Sequence, residues 1–373
     1  MKIGIDARCL ESQRGGVARY LTNMLKIWPK TASHHRYVLY FTKQVPGDDF
    51  LRNPVFDCKV IPGPAALKSR QVLVDQILLP LQMRHDDLDV FFATWYYAPL
   101  YCPARKTVVA AWDISYTTHR KHYRFKEGLR LSLFSRISCQ RAAGVVTCSP
   151  YDGRQIEKYY KVPAERICVI QLAPDEKFQP VTEPHQLDVL RKKYRIPNRY
   201  LLSMGVIFSR RNVDVIIDAF TDVHRDFPDM DLVVVGRNKT VPFVDIESRM
   251  QPLIKAGRGH YLPWIAEEDL PILYAGAWYY ICTSTVDGES IMMKEAMKCG
   301  TPVITSPLMV DSVDGNVEVL ENPESREETA KLLRRIIPSS ELRDRQSRRG
   351  LKWVQPLSWE NVARQNMTFF ETR

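Results

Sequence analysis

Residues 283–306 read TSTVDGESIMMKEAMKCGTPVITS, a stretch that predicts an apolar strand end, a turn, a short helix and a second apolar strand. Asp287 lies in the turn and Glu295 lies about one and a half turns into the helix, so both carboxylates are expected to face one cleft at the C-terminal edge of a sheet. The amides from Gly288 to Ile291 lie at the helix N-terminus, where the helix dipole favours an anion. The stretch therefore offers hydroxyl acceptors and a phosphate-binding turn, and a nucleotide sugar needs both.

A second motif, MGVIFSRRNVDVIIDAF at residues 204–220, also runs from a strand through a loop into a helix. The strand ends at Gly205, the loop carries Arg210 and Arg211, and Asn212 is expected to cap the helix. Taken alone, such a pair of arginines is most often part of a solvated surface loop, but this pair lies in the same predicted domain as residues 283–306.

A third segment, IDARCLESQRGGVARYLTNML at residues 5–25, leads from a strand to a loop that ends in Gly15 and Gly16. Glycine permits a positive φ and a close approach of the backbone to a ligand. Arg19 follows in the first turn of the next helix. Because the segment lacks a G-x-G-x-x-G pattern, it does not predict a dinucleotide-binding site.

A fourth segment, AAWDISYTTHRKHY at residues 110–123, has Trp112 and Asp113 directly after a strand. His119 and His122 follow in the loop. Loop histidines are more often exposed than catalytic, so we interpret these two as surface residues.

The composition is that of an ordinary globular protein: 373 residues, 45% hydrophobic and 26% charged. No apolar run approaches the roughly 18 residues that a membrane span needs, and the chain starts directly with a strand, so no signal peptide is expected. The eight cysteines occur singly, which favours a reducing cytoplasm over a zinc ribbon. Two D-x-D triplets, at residues 87–89 and 229–231, precede strands and are interpreted as solvated turns, so no metal site is predicted.

The net charge of +10 is unevenly distributed, because the whole positive excess lies within residues 1–180. One run contains a single acid, Glu127, and these basic residues: Arg120, Lys121, Arg124, Lys126, Arg130, Arg136 and Arg141. Such a run suits an anionic membrane surface or a diphosphate-bearing acceptor, or it is a solvated helix face. No helix-turn-helix, RNP or zinc-finger spacing occurs, so nucleic acid is not predicted as a partner.

Strands and helices alternate in two series. Strands are predicted at residues 2–6, 37–41, 58–61, 89–93, 107–111, 144–147 and 167–170, and then at 200–205, 231–236, 279–284, 301–306 and 317–320. Helices are predicted at residues 16–29, 70–84, 127–143 and 150–160, and then at 213–227, 244–256, 267–277, 290–299 and 326–337.

This alternation predicts an α/β protein with parallel sheets covered on both faces. The proline-rich, polar segment 174–198 separates the two series and is expected to be the domain junction. We predict Rossmann-like domains over residues 1–180 and 181–355, followed by a C-terminal amphipathic helix at 356–373.

These motifs resemble the family-4 glycosyltransferases with the two-domain GT-B fold. The donor-site pattern of that family, E-G-F-G-L-P-x-x-E-A-M-x-x-G-x-P-V, is followed from Glu295 to Val303, and its G-x-x-x-x-R-K-N loop is similar to the run from Gly205 to Asn212. Residues 15–20 resemble its acceptor-side loop, and the helix predicted at 356–373 resembles its C-terminal helix, which returns to the first domain. The resemblance covers essentially the whole chain and is closest to enzymes that build bacterial polysaccharides, many of them mannosyltransferases.

The chain departs from the family pattern at several positions. The departures are Asp287 for Glu, Glu289-Ser290 for Phe-Gly, Met292 for Pro, Arg211 for Lys, and Trp112 for a His near the reacting sugar. Asp113 matches the family Asp beside that His.

The resemblance implies roles for individual residues. Arg210 and Arg211 would neutralise the departing diphosphate, and Asp113 and Asp287 are grouped with them as catalytic residues, with Asp287 on a sugar hydroxyl. The implied donor-binding residues are Gly205, Gly288, Glu289, Ser290, Ile291 and Glu295, the last on the ribose. The implied acceptor-side residues are Gly15, Gly16, Arg19 and Trp112.

The resemblance further implies transfer of a hexose, with GDP-mannose as one candidate donor, to a glycan or lipid-linked acceptor, with retention and without a metal or other cofactor. A cytoplasmic enzyme is expected, and peripheral docking on the inner face of the cytoplasmic membrane is left open. Trp112, Glu289 and the shorter Asp287 also leave open a non-catalytic GT-B module that binds a sugar or a partner. A GT-B sugar-nucleotide epimerase is a further alternative.

Overall fold

The structure, a computed structural model, describes residues 1–12, 15–68, 70–120, 123–286 and 289–373. Its internal contacts divide the chain into two compact units, Met1–Leu172 together with Ser358–Arg373, and Ala173–Leu357. The first unit thus ends before the predicted boundary at residue 180, and its C-terminal part begins two positions after residue 356.

The first unit contains a parallel sheet. Its strands are β1 (Lys2–Asp6), β2 (Arg36–Phe41), β3 (Phe56–Val60), β4 (Val90–Ala93), β5 (Lys106–Ala110), β6 (Gly144–Thr147) and β7 (Ile167–Val169). Its helices are α1 (Gly16–Thr31), α2 (Ala65–Lys68), α3 (Gln71–Leu73), α4 (Leu79–Met83), α5 (Ser115–Thr118), α6 (Phe125–Arg141), α7 (Pro150–Tyr160) and, from the end of the chain, α15 (Trp359–Thr372). A π-helical turn, Val74–Leu78, joins α3 to α4.

The strand order of this sheet is β3-β2-β1-β4-β5-β6-β7. Each adjacent pair is parallel, and β2 and β4 are buried along almost their whole length, as expected for a sheet covered on both faces. The order reverses between β1 and β4. In open α/β sheets the crevice outside the carboxyl ends of two such strands is the usual ligand site.

Helix α15 packs on α1 within the first unit. Tyr20 Oη donates a hydrogen bond to Asn366 Oδ1 at 2.5 Å, and Trp28 Nε1 donates to the Ala363 carbonyl at 3.2 Å. Two large aromatic side chains of α1 therefore depend on the last helix for their polar partners.

The second unit contains a second parallel sheet. Its strands are β8 (Tyr200–Met204), β9 (Asp231–Val235), β10 (Gly259–Leu262), β11 (Tyr279–Cys282), β12 (Val303–Thr305) and β13 (Glu318–Val319). Its helices are α8 (Pro184–Tyr194), α9 (Val213–Val223), α10 (Ile246–Lys255), α11 (Leu270–Gly276), α12 (Ile291–Lys298), α13 (Arg326–Ile336) and α14 (Ser340–Val354).

The order of the second sheet is β10-β9-β8-β11-β12-β13, so its reversal lies between β8 and β11. Apolar side chains from both faces of the sheet form two core clusters, one against α9, α10 and α13 and the other against α11, α12 and α14. Both units are therefore Rossmann-like α/β folds, and the predicted fold class is confirmed.

Three elements of the second unit were not predicted. The segment 174–198, interpreted as a junction, contains α8. Helix α14 and the edge strand β10 were also absent from the sequence-based assignment. No helix in the described ranges combines the length and the apolar character that a membrane crossing requires.

Candidate active site

Two glycines meet at the carboxyl ends of β8 and β9, next to the reversal point between β8 and β11. Gly205 follows β8 with a φ of 121°, and Gly236 follows β9 with a φ of 143°. A Cβ on Gly236 would overlap the Gly205 carbonyl oxygen, and a Cβ on Gly205 would overlap Nη1 of Arg211. Both positions therefore require glycine, and the absence of a side chain lets the Arg211 guanidinium lie directly against the strand end.

The arginine loop is hydrogen-bonded to the segment that precedes α12. Arg210 Nε donates to the Val286 carbonyl at 2.9 Å, and the Thr285 N–H donates to the Arg210 carbonyl at 2.8 Å. Asn212 has a left-handed φ of 51°, and its side-chain amide donates to the Thr283 carbonyl at 3.0 Å. The structure thus brings the two predicted motifs into one hydrogen-bonded edge.

Asn212 occupies the predicted N-cap position of α9, and its carbonyl accepts a hydrogen bond from the Ile216 N–H at 3.1 Å. Its side chain makes no capping hydrogen bond, and the side-chain amide donates to the Thr283 carbonyl after the neighbouring strand β11. Asparagine tolerates the left-handed backbone conformation that this position adopts.

Glu295 lies on α12 with only 1% of its surface exposed. Tyr274 Oη, from α11, donates to Glu295 Oε2 at 3.3 Å. Burial and the neighbouring Glu295 carboxylate raise the pKa of Tyr274 well above its ordinary value, so the phenol keeps the proton that it donates. The carboxylate predicted to bind the ribose is therefore oriented by a buried tyrosine and is not open to solvent.

Glu289 forms an ion pair with Lys294, and neither side chain is exposed. Glu289 was predicted among the donor-binding residues, but its carboxylate is directed to a buried ammonium group of the same segment. A buried ion pair is costly to break, because removal of either partner leaves a charge in a medium of low dielectric constant.

Ser290 and Ile291 form the entry into α12. Ser290 is buried and immediately precedes the helix, but its hydroxyl makes no capping hydrogen bond and lies 3.7 Å from Cys282 Sγ. Ile291 is the first helical residue. Asp287 and Gly288 lie outside the described residues, and the roles predicted for them stay predictions.

The predicted donor residues surround little internal space. Gly205, Arg211 and Thr283 line a cavity of about 10 Å³ beside β8 and β11. This volume is about the least that one water molecule requires. The cavity is therefore too small to hold a nucleotide sugar.

In the first unit, Gly15 has a φ of 96° and immediately precedes α1, and Gly16 is the first residue of that helix. Among the described residues, no atom outside the adjoining ones lies within 4 Å of the position where a Cβ on either glycine would be. Arg19 N–H donates to the Gly15 carbonyl at 3.2 Å. The positive φ explains why position 15 is a glycine. The packing of the described residues does not require a glycine at position 16.

Trp112, which is predicted as an acceptor-side residue, is buried. Its indole N–H donates to the Thr94 carbonyl at 2.9 Å, and its ring packs edge-on against Tyr20 with centroids 4.6 Å apart. Asp113 accepts a hydrogen bond from the Ser115 N–H at 2.8 Å and another from Tyr96 Oη at 3.3 Å. Both side chains contribute to local structure, and the acceptor-side role of Trp112 and the catalytic role of Asp113 stay predictions.

Three residues of the candidate site in the second unit were not predicted from the sequence. Gly236 could have been found, since a glycine directly after the apolar run VVV signals a close backbone approach. Lys294 also carried a signal, as a charged residue among the apolar residues of α12. Tyr274 carried none, because its contact with Glu295 depends on how α11 packs against α12.

In the described parts of the chain, one group of side chains could hold a metal ion, namely His34, His35 and Glu371. It belongs to the first unit and includes none of the predicted site residues.

Comparison with known proteins identifies both halves of the chain. The family model described as "Glycosyl transferases group 1" matches residues 188–353, and the model "Glycosyltransferase Family 4" matches residues 14–178. The O-antigen chain mannosyltransferase B of Escherichia coli is 24% identical over 284 residues, which cover 74% of each chain. The mannosylfructose-phosphate synthase of Agrobacterium fabrum is 22% identical over 69% of this chain and 58% of its own length.

A solved structure supports the fold assignment. Anabaena HepE, determined in complex with UDP and glucose, superposes with a TM-score of 0.75 at 18% identity and over 100% of both chains. Since the two family models together match most of the sequence and the fold agrees, the chain belongs to the family-4, group 1 glycosyltransferases with the GT-B fold.

Proposed function

We propose that this glycosyltransferase moves a hexose from a nucleotide-diphosphate sugar to a glycan or lipid-linked acceptor, with retention of configuration, in the synthesis of a bacterial surface polysaccharide. GDP-mannose is the first donor to test, because the Escherichia coli relative is an O-antigen chain mannosyltransferase. The observation that carries the proposal is the hydrogen-bonded edge of the second unit, in which Arg210 and Arg211 lie beside the segment that enters α12.

In the proposed reaction, the bond between the anomeric carbon and the diphosphate oxygen breaks, and an acceptor oxygen bonds to the same carbon on the same face. The acceptor proton passes to the departing diphosphate, so no protein base is needed. Arg210 and Arg211 would stabilise the negative charge that develops on the leaving group. Glu295 would bind the ribose and Asp287 a hydroxyl of the transferred sugar.

The test is incubation of the purified protein with GDP-mannose, UDP-glucose and other nucleotide sugars, with and without glycan acceptors. We expect release of the nucleoside diphosphate from one donor, and an α-linked product from an α-linked donor would establish retention. Failure to turn over any donor with any acceptor would contradict the proposal.

A second candidate is a non-catalytic GT-B module that binds a sugar or a partner without turnover. The buried Trp112 in place of a histidine and the engagement of Glu289 by Lys294 favour it. The same assay separates the two candidates, because a binding module would retain affinity for a nucleotide sugar while leaving it intact. An epimerase would instead return an isomeric nucleotide sugar.

Helix α6 supports a further proposal about location, because it exposes large apolar residues and buries small ones. Phe125 is 80% exposed, Leu129 48% and Leu133 54%, and their four-residue spacing places them on one side of the helix. The buried residues of the helix are Gly128, Ser132, Ser135, Ser138 and Cys139. A helix that only covers a core has the opposite arrangement.

The exposed face of α6 is also basic, with Arg124 directly before the helix and Lys126 and Arg136 within it exposed to solvent. Basic and apolar residues together are typical of helices that lie in the interface of an anionic membrane. We propose that this face docks the first unit on the inner surface of the cytoplasmic membrane, where a lipid-linked acceptor would be reached.

A further inference from the structure

The first unit contains a pocket of about 460 Å³ outside the carboxyl ends of β1 and β4, where the strand order reverses. Asp6 ends β1 and Trp95 follows β4, and both line the pocket. None of the predicted catalytic, donor-binding or acceptor-side residues lines it, whereas Arg130 of the basic run does. Its volume lies in the range of about 300–1,000 Å³ that is usual for small-molecule sites.

Charged side chains in the pocket balance one another. Arg8 lies between two buried carboxylates, with Nη1 2.6 Å from Asp75 Oδ1 and Nη2 2.5 Å from Asp6 Oδ2. Gln71 Nε2 also donates to Asp75, at 2.9 Å, and Arg130 adds a second cation to the lining. A ligand with a net charge gains little electrostatic binding energy from such a lining. The hydroxyl groups of an uncharged ligand can form hydrogen bonds with both acceptors and donors in it.

A tight turn presents an aromatic ring at the pocket. Tyr96 has a left-handed φ of 58°, and the Tyr97 N–H donates to the Trp95 carbonyl at 2.7 Å. Ser135 Oγ, on α6, donates to the Tyr96 carbonyl at 2.9 Å and helps to hold the turn. The turn directs the Tyr97 hydroxyl to Asp75 and leaves 47% of Trp95 exposed. Strained backbone that its surroundings hold in place is concentrated at ligand sites.

Asp75 itself lies in the π-helical turn Val74–Leu78. Such turns are rare and occur frequently at functional sites, because the extra residue displaces a side chain from the regular helical position. The π-turn and the left-handed turn thus bring a carboxylate and an indole to the same pocket from two separate segments.

We propose that this pocket binds an uncharged sugar ring of the acceptor, stacked on Trp95 and hydrogen-bonded to Asp6 and Asp75, an inference that rests on the transferase function proposed above. The apolar face of a sugar packs on an aromatic ring while its hydroxyl groups require polar partners, and the pocket supplies both. Arg8 is already paired with both Asp6 and Asp75, so a phosphate would depend on Arg130 for its counter-charge while lying beside two buried carboxylates, and like charges in contact are unfavourable.

The experiment is saturation-transfer difference NMR on the full chain without nucleotide. The probes are the methyl α-glycosides of mannose, glucose and galactose, and mannose 1-phosphate as the charged counterpart. We expect at least one methyl glycoside to bind in the millimolar range that so small a ligand allows, and to bind more tightly than the sugar phosphate. Trp95→Ala should weaken that binding about tenfold or more, the factor that corresponds to loss of one stacking contact.

Trp264→Ala is the matched control, because Trp264 is an exposed tryptophan of the second unit. It should leave glycoside binding unchanged. Asp75→Asn should also weaken binding, with thermal unfolding used to establish that the variant is folded. The inference is overturned if no methyl glycoside binds, if Trp95→Ala binds like the wild type, or if mannose 1-phosphate binds more tightly than the glycosides.

Hydrolysis of the nucleotide sugar without acceptor, measured in parallel, keeps the two proposals distinct. Donor hydrolysis in the absence of glycoside binding overturns the pocket assignment alone. Glycoside binding that depends on Trp95 supports the pocket assignment even where no donor is turned over, a result that counts against the transferase proposal only.

Discussion

Arg210 and Arg211 are held at the end of β8 by contacts that are specific to each. Arg210 donates to the Val286 carbonyl, and Arg211 lies over Gly205. Loss of one group that stabilises developing charge typically lowers the rate by about 10²–10³. We therefore expect Arg210→Ala and Arg211→Ala each to reduce kcat by that factor, as measured by release of the nucleoside diphosphate. Arg225→Ala, at an exposed position of the same unit, should not, and near-wild-type turnover in both site variants would contradict the assignment.

Glu295 and Asp287 should divide the recognition of the donor between them. Glu295→Gln keeps an oxygen that can accept from Tyr274, so the variant should fold, but its affinity for the free nucleoside diphosphate should fall because a charged acceptor for the ribose is lost. Asp287→Asn should impair donor turnover and spare binding of the free nucleotide. Calorimetry with both ligands measures the difference, and an equal loss of nucleotide affinity in the two variants would refute the division.

Removal of one partner of the Glu289–Lys294 pair should destabilise the protein more than replacement of both partners. Glu289→Gln removes the carboxylate from a buried ammonium group, so the free energy of unfolding should fall by about 3–5 kcal/mol. The double variant Glu289→Gln/Lys294→Met should recover much of that loss, since the buried charge is gone. Asp226→Asn, which breaks the exposed pair with Arg334, should cost at most about 1 kcal/mol in the same urea titration. Equal effects of Glu289→Gln and Asp226→Asn would show that the buried pair is not costly to break.

At the scale of the element, α6 should bind anionic membranes through its exposed face. Wild-type protein should sediment with phosphatidylglycerol vesicles at low salt, since each basic residue near such a surface contributes about 1 kcal/mol. Binding should weaken near 0.5 M salt, where the Debye length is about 4 Å. The variant Phe125→Ser/Leu133→Ser should lose the apolar contribution and remain in the supernatant.

The control for this prediction is Phe243→Ser, because Phe243 is also a highly exposed phenylalanine but belongs to the second unit. It should sediment like the wild type. If the wild type stays in the supernatant at low salt, or if the α6 variant sediments as much as the wild type does, the exposed face of α6 is solvated and does not bind membranes.

Elements with a clear apolar pattern could be predicted closely. The strand at 144–147 has the predicted bounds because a continuous apolar run marks it. The helix at 150–160 has the predicted bounds because a proline directly after a Ser N-cap marks its start. Helix α14 was missed because its sequence, SELRDRQSRRGLKWV, is mostly polar and buries few residues. Strand β10, GHYL, lies at the sheet edge and is only partly buried, so its sequence contains no apolar run that would predict a strand.

At the scale of the whole molecule, turnover should not depend on a divalent metal. In the reaction proposed above, Arg210 and Arg211 would neutralise the leaving group without a metal, and the His34, His35 and Glu371 group belongs to the other unit. We expect activity to survive EDTA, with a metal-dependent glycosyltransferase assayed in parallel to show that chelation is complete. Loss of activity on chelation, with recovery on addition of Mg²⁺ or Mn²⁺, would refute this.

The fold class and the family could be predicted from the sequence, because the donor-site and arginine motifs are local and lie at strand ends. The packing around them could not. Trp112 replaces a histidine in a short motif, and only the three-dimensional structure shows that its ring turns inward to Tyr20. The pocket beside Trp95 was also missed, because Asp6 and Asp75 are distant in the sequence and meet only through the order of the strands.

The two ends of the chain belong to one unit, because Ser358–Arg373 joins Met1–Leu172. During translation, the contiguous segment Ala173–Leu357 is complete before α15 has been made. Until α15 leaves the ribosome, Tyr20 and Trp28 lack the partners that Asn366 and Ala363 provide. The nascent chain therefore carries an unfinished first unit while later residues fold, and during that interval its apolar surface is open to chaperones and to aggregation.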